Sequence, residues 1–440
     1  MLGILAGLVL AIPDQTALEF RRIEPLTWGE RPTVAVVAGG RLLVGTRSGG
    51  LYQLKSGAKQ LEPIAGPPKT KFVISITQGN RCAIIGTGLG EGESEADPAL
   101  STWIVDDGSD KAQAVQGIPN DAMVECAAQF GRRLLLGTST YGLWTLEDRS
   151  TTASHIAGPP NKDGIRSISV QGGRAFAGTD FHGLWVLEEG RDVAERVVKS
   201  QVGRPIYPIQ LAHFDGQTLV GTSSGLWRIP DHSARAERVE GIPTGSVVRR
   251  FLPDDRRALI GTWHGLFRLE IGAKKALRLD DSPTDLGVLE LAQIDGSVLI
   301  GAEKGLWFLQ GRSLLKMPIP DEIVIRDLFV SGNQAICGGE AERGNRIDSY
   351  WWIWSEGRLT PIVGEVHHDS PFERVTPLFF DGHFFVADRM GLWEVVDSRN
   401  PSARNSLAIR RAQAQVPRVS IPNLDPFYAS TAPGDASLEH

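Results

Sequence analysis

Cysteine is scarce in this chain, three in 440 residues. Cys82, Cys126 and Cys337 are odd in number and far apart, so a disulfide framework is not indicated and each reads as a small buried hydrophobe. An excess of charge of one sign is lacking too. Against 46 bases stand 52 acids, a net charge of −6 with the signs intermixed, which leaves no basic stripe for nucleic acid. No apolar run is long enough for a stable membrane span. The longest, Leu2 to Ile12, falls well short of the roughly 20 residues a spanning helix needs. The apolar stretches of the repeat 241–280 have no 3.6-residue period long enough for a globular helix, and only the Arg- and Ala-rich patch Ala403 to Val416 reads as a short one. A nucleotide-binding loop, catalytic-triad spacing and a zinc-ligand pattern are missing. No cofactor or metal is expected.

What is abundant is glycine, 50 residues, with 26 prolines, dispersed along the chain rather than pooled in linkers. They belong to a phrase that returns nine times: an apolar run, Gly-Thr or a variant, a short turn, then Gly-Leu-Trp and another apolar run. Clear copies are LLLGTSTYGLWTL from Leu134, AFAGTDFHGLWVL from Ala175 and LIGTWHGLFRL from Leu259. The first small residue falls at Gly45, Gly86, Gly137, Gly178, Gly221, Gly261, Gly301, Gly338 and Ala387. A period near forty residues marks a radial or stacked repeat rather than separate domains.

One repeat, 241–280, divides into four strand-length apolar stretches separated by turn residues such as Pro253-Asp254-Asp255. Four antiparallel strands per unit describe a propeller blade. With the strands named A to D from the axis outward, A follows Gly-Ile-Pro, B ends in Gly-Thr, C begins Leu-Trp, and D is the variable edge. The glycine before Leu-Trp is expected at positive φ, closing the B–C hairpin. The recurring threonine is expected to bond the turn backbone.

Tryptophan at the start of C (Trp103, Trp144, Trp185, Trp227, Trp307, Trp393) reads as blade-to-blade packing. The last copy has A, B and C but no D, and Ala17 to Leu26 resembles a D strand. The expectation is therefore an all-β chain forming a single propeller of nine blades, with eight as the alternative. The N-terminal strand closes the ring and removes its edges. Residues 1–16 read as a signal-like leader that lacks a basic n-region, 17–398 as the propeller, and 399–440 as a partly irregular tail ending in a tag-like stub.

These motifs resemble the broad group of bacterial propellers with Gly-Thr-x-x-Gly-Leu repeats, including the sensor propellers of two-component regulators and the sialidase-like (BNR-type) repeats. The resemblance covers most of the chain at the level of the repeat, and it implies fold rather than function. No repeat carries the Ser-x-Asp-x-Gly-x-Thr-Trp box of sialidases, and no kinase or DNA-binding segment follows the repeats.

Candidate chemistry is sought in departures from the repeat on the face shared by the D–A and B–C connections. Twelve residues before the repeat glycine stand Glu125, Arg166, Arg249 and Arg326; a one-residue shift adds Glu290 and Arg374. Arginine's planar fork suits carboxylate or phosphate, so these read either as an anion site or as ion pairs lining a wet channel. Phe181-His182 and Trp263-His264 occupy equivalent turn tips, where an aromatic beside a polar partner suits stacking on a sugar or a protein loop.

Two insertions, Leu89 to Leu100 and Glu340 to Ser349, read as loops over one sector; the acidic alternation of the first is a weak calcium pattern. His367-His368-Asp369, read as a connection before the ninth blade, offers a proton acceptor beside the arginines. Together these point to a ligand-binding or sensing module, exported to the periplasm or secreted. Its partner would be an anionic small molecule or acidic glycan at the channel mouth. The alternatives are a polysaccharide lyase or hydrolase using His367, His368 or Glu290, and a scaffold whose rim binds another protein.

Overall fold

The computed structural model describes residues 18–397 apart from short internal stretches, the longest being 89–101, 200–207 and 369–375. The leader, the tail and the acidic insertion thus lie outside the described residues. Within them every element is a strand.

Nine inner strands, each strand A of one blade, run from Pro32–Ala38 through Phe72–Gln78, Val124–Phe130, Ile165–Gln171, Gln210–Phe214, Val248–Pro253, Val288–Ile294 and Val324–Ser331 to Thr376–Phe380. Each touches the next, and the first touches the last, so the ring is closed around an axial channel. The blades are antiparallel A–B–C–D sheets. The fold is a nine-bladed β-propeller.

Closure follows the expected route. Leu18–Ile23 pairs antiparallel with strand C of the ninth blade, Gly391–Asp397, over six residues from Leu18↔Asp397 to Ile23↔Leu392. It also pairs in parallel with strand D of the eighth blade, Leu18↔Ile362 and Glu19↔Val363. One N-terminal strand therefore completes the last blade and joins it to its neighbour. Arg21 donates to the carboxylate of Glu394, which is 7% exposed, and His383 Nδ1 lies 3.0 Å from the other oxygen of Glu394.

The core is not one mass but nine apolar slabs, one between each pair of adjacent blades. The aromatic that opens strand C faces the preceding blade: Trp227 packs with Phe176 and Val186, and Phe267 with Phe214. The eighth blade also has this residue, Trp352, opposite Cys337 just before the repeat glycine. Its longer hairpin hid it from the forty-residue count.

Two glycine seams fit the blades together. At the inner seam a Cβ on Gly45 would lie 2.3 Å from Val73 of the next blade, and one on Gly261 2.5 Å from Val288. This is why the phrase demands glycine at a position with ordinary φ. At the outer seam Gly66, Gly117, Gly158 and Gly241 take positive φ, and each would press a Cβ into the carbonyl oxygen of an alanine at or just before the start of the next blade's strand D. The recurring threonine behaves as expected: Thr138, Thr179 and Thr262 donate to the carbonyls of Gly142, Gly183 and Gly265. Those glycines have φ of +71°, +85° and +108°.

The insertion of the eighth blade is not a loop. Strands B, C and D there lengthen to Gln334–Arg343, Arg346–Ser355 and Arg358–His368, a three-stranded extension. His367 and His368 pair with Asp348 and Ile347 in that sheet. They belong to a strand and not to a connection, because the hairpin continues its ladder where a turn was expected.

Candidate functional site at the channel mouth

The position twelve residues before the repeat glycine has a structural identity. In seven blades it is the extra residue of a β-bulge in strand A: Thr33, Ile74, Glu125, Arg166, Arg249, Leu289 and Arg326. A bulge re-aims one side chain out of the alternation of its strand. Here it does so at the end of the inner strand, beside the mouth. Glu290 is not at the bulge. It pairs in register with Gly301, one rank further along, and Leu289 is the bulged residue and is buried. Arg374 lies outside the described residues.

The charges at the mouth meet one another. Arg166 forks onto Asp180 of its own B–C turn, Nε to Oδ1 at 2.7 Å and Nη2 to Oδ2 at 2.9 Å. It also donates Nη1 to Glu125 of the preceding blade. The hydrogen bonds to Asp180, reinforced by Glu125, hold its pKa above the ordinary arginine value. Arg326 donates Nε to Glu340 at 3.2 Å. Glu290 accepts from Arg250, which sits opposite its own repeat glycine as Glu290 does, with Nε to Oε2 at 2.8 Å. Arg250 in turn donates to the carbonyl of Arg249 at 3.0 Å. With Arg249, and with Asp327 next to Arg326 in its strand, these strands and turns hold four guanidiniums (Arg166, Arg249, Arg250, Arg326) and five carboxylates (Glu125, Asp180, Glu290, Asp327, Glu340).

The turn tips carry exposed rings. Phe181 is 64% exposed and Trp263 38%. Their histidine neighbours are latches between the B–C turn and the D–A connection. His182 Nδ1 lies 2.7 Å from Asp163 Oδ2, and the buried Asp163 carboxylate also accepts the amides of Phe181 and His182. His264 Nδ1 lies 3.0 Å from Ser246 Oγ. Tyr141–Asp121 and Lys304–Asp285 repeat the device in blades three and seven. Each latch holds its tip rigid, so an adjacent aromatic presents a preset face.

The opposite face carries residues that sequence reading passed over. Arg41, Arg133 and Arg174 each begin strand B, four residues before the repeat glycine, and each reaches into the C–D turn of the next blade. Arg41 donates to the carbonyls of Ser109 and Asp106 at 2.7 and 2.8 Å, Arg133 to that of Arg191 at 2.8 Å, and Arg174 to that of Ser233 at 2.8 Å. Burial lowers the pKa of Arg41, opposed by Asp110 and Asp107. The constant offset from the glycine was the available signal. These arginines are inter-blade clasps, and the chemistry left over gathers at the other face. Among the described residues no group of His, Cys, Asp and Glu is arranged to hold a metal ion, and no helix is long and apolar enough to cross a membrane.

No family model and no curated protein matches the chain. Solved structures of similar fold include the computationally designed protein Ika8, 13% identical over 74% of this chain and 96% of that one, with a TM-score of 0.48. The extracellular domain of the hybrid two-component system BT4673 of B. thetaiotaomicron is 14% identical over 80% of this chain and 60% of that one, TM-score 0.40. PorZ, a surface component of the type-IX secretion system of Porphyromonas gingivalis, is 14% identical over 90% and 53%, TM-score 0.38. The chain thus spans little more than half the length of the two bacterial structures. Similarity at this level concerns the repeat architecture of bacterial propellers and reaches no activity; its sialidase side has no counterpart among these three.

Proposed function

We propose that this propeller is an extracytoplasmic binding or sensing module whose ligand site is the channel mouth on the D–A and B–C face. The observation that carries the reading is the division of labour between faces. On one face Arg41, Arg133 and Arg174, which begin strand B, are consumed as clasps between blades. On the other, latched tips present Phe181 and Trp263 outward beside the bulged Arg166, Arg249 and Arg326. A rigid scaffold with aromatic faces and convergent polar groups is built for recognition. An anionic ligand there exchanges its own carboxylates for those of the protein, since the mouth holds at least as many carboxylates as guanidiniums. This favours a ligand with several acidic groups, such as an acidic oligosaccharide, over a small monoanion.

Lyase or hydrolase chemistry is supported less well. Both oxygens of Glu290 are bound by Arg250. A rim that binds protein is favoured by the exposed aromatics.

The test is a thermal-shift screen against uronic and sialic acids and acidic oligosaccharides, with Arg249→Ala alongside. A ligand at about a hundred times its dissociation constant stabilises by roughly 2.7 kcal/mol. A shift that the variant loses supports the mouth as the site. A screen without any shift, or a shift unchanged in the variant, overturns it.

A further inference from the structure

The charges at the mouth are matched by carboxylates, but a second set of cations on the same face is not. In each blade the aromatic that opens strand C has a cross-strand partner on strand D. In blades three to seven, consecutively, that partner is basic: Trp144↔His155, Trp185↔Arg196, Trp227↔Arg238, Phe267↔Arg278 and Trp307↔Lys316. In blades one, two and eight it is Pro63, Ala114 and Pro361. Blade nine has Arg22, which donates to the carbonyl of Leu26.

Packing on the ring explains part of the pattern. The Arg278 guanidinium lies 5.4 Å from the centre of Phe267, and the Lys316 ammonium 5.8 Å from that of Trp307. The aliphatic stem covers the aromatic and the charge is carried to the rim.

Blades four to six differ from their neighbours in how that charge is met. Lys316 is paired with Asp321. Arg196 instead donates Nε to the carbonyl of His182 at 3.0 Å, Arg238 donates Nη2 to the Thr244 hydroxyl at 3.1 Å, and Arg278 stacks on Phe267. Among the described residues these three have no carboxylate partner. Of the nearby acids on the same strands, Glu237 is held by Arg228 at 2.9 Å, and Glu195 is exposed on the alternate face.

A second observation falls in the same sector. Of the seven large hydrophobics exposed among the described residues, Val198, on a short strand paired in parallel with strand D of blade five, and Leu277, next to Arg278 in strand D of blade six, flank these arginines. Phe181 and Trp263 stand on the B–C tips of blades four and six, Leu315 on strand D of blade seven, and Val193 and Ile271 at the C–D ends on the opposite face. Exposed apolar side chains gathered on one part of a surface mark an interaction site.

We infer that the outer rim of blades four to six is a docking surface for an acidic polypeptide segment of a partner protein, read by Arg196, Arg238 and Arg278. Packed sheets lie about 10 Å apart, so the three guanidiniums span about 20 Å or more, beyond the reach of a small anion. An extended octapeptide covers about 26 Å. The guanidinium fork takes a carboxylate in two parallel bonds, and arginine with tryptophan dominates the binding energy of protein interfaces. The flanking apolar groups fit a polypeptide better than a polyuronate chain, which carries no side chains to place on Val198 or Leu277. The inference is separate from the mouth reading, since it rests on strand D and not on the bulged residues.

The experiment measures fluorescence anisotropy of a labelled octaglutamate peptide against the full chain at about 50 and 200 mM salt. Three variants are compared: R196Q/R238Q/R278Q, a charge-matched R132Q/R191Q/R256Q on the opposite face, and R249A. The expected result is salt-sensitive binding weakened at least about tenfold in the rim triple and unchanged in the other two, with melting temperatures preserved. Equal weakening in both triples reduces the effect to net charge and overturns the proposal, as does absence of binding. Loss in R249A with the rim triple intact assigns the peptide to the mouth and overturns it as well. Polygalacturonate run in parallel and binding more tightly through the same three arginines overturns the polypeptide assignment in favour of a glycan. Should the rim triple fail to fold, the single variants R196Q and R238Q carry the same comparison.

Discussion

Replacing Gly241 by alanine tests the outer seam against a control four residues away. Gly241 has φ of +94°, and an ideal Cβ there would lie 1.9 Å from the carbonyl oxygen of Ala276 in the next blade. Gly245 has φ of +79° and nothing within 4 Å of the same position. Both substitutions force an L residue into left-handed backbone, costing about 1–2 kcal/mol. Only Gly241→Ala adds overpacking against a main chain that cannot rotate away, about 1–3 kcal/mol more. Relief requires the seam to part, which stretches the 2.8 Å bond from the Ala276 amide to the Glu240 carbonyl. The expected outcome is a loss of about 2–5 kcal/mol for Gly241→Ala against about 1–2 for Gly245→Ala, read by urea denaturation. Hydrogen exchange should accelerate at Ala276 in the first variant alone. Equal losses, or an Ala276 amide still protected in Gly241→Ala, would refute the steric account of the seam.

Glu394→Gln removes the shared partner of Arg21 and His383 in the closing blade; breaking a largely buried pair by one member costs about 3–5 kcal/mol, and limited proteolysis should then cut near residues 18–23 before the rest of the ring. Asp381 accepts the Gly57 amide at 2.8 Å and the Ser56 hydroxyl at 2.9 Å across the junction of blades nine and one, and those bonds lower its pKa. The stability it contributes is present above the unfolded-state value near 3.9 and is lost as pH falls through the lower folded value. Melting temperature should therefore fall less steeply below about pH 4 in Asp381→Asn. Trp227→Ala, at 7% exposure between blades four and five, should cost about 3–5 kcal/mol, whereas Phe181→Ala on its exposed tip should stay within about 0.5 kcal/mol. A large stability loss for Phe181→Ala would mean that its ring supports the fold and is not held out for a ligand.

The exchanged roles of neighbouring arginines show where reading from the chain runs out. Counting twelve back from the glycine found Arg249, and the structure pairs Arg250 with Glu290 instead. A bulge shifts the facing of one residue relative to the next, and nothing in the local sequence reports the shift. In the same way the offset that brought Arg166 to the mouth could not reveal Asp180, whose place depends on the fold of its turn.

The sequence by itself determined the order of strands, the positive-φ glycines and the closure by the N-terminal strand, and it favoured nine blades over eight. Each of these follows from short-range constraints repeated nine times: strand alternation, turn chemistry and a glycine where the next blade presses close. Only the tertiary structure decided which charges neutralise one another, because those pairs join residues about forty positions apart, as Arg166 does Glu125 and Arg250 does Glu290. The same holds for the extension of blade eight, where whether a segment turns or continues its ladder is set by the strand it meets and not by its own residues. Arg196, Arg238 and Arg278 were legible as letters in strand D, but that no carboxylate among the described residues meets them is a property of the assembled ring.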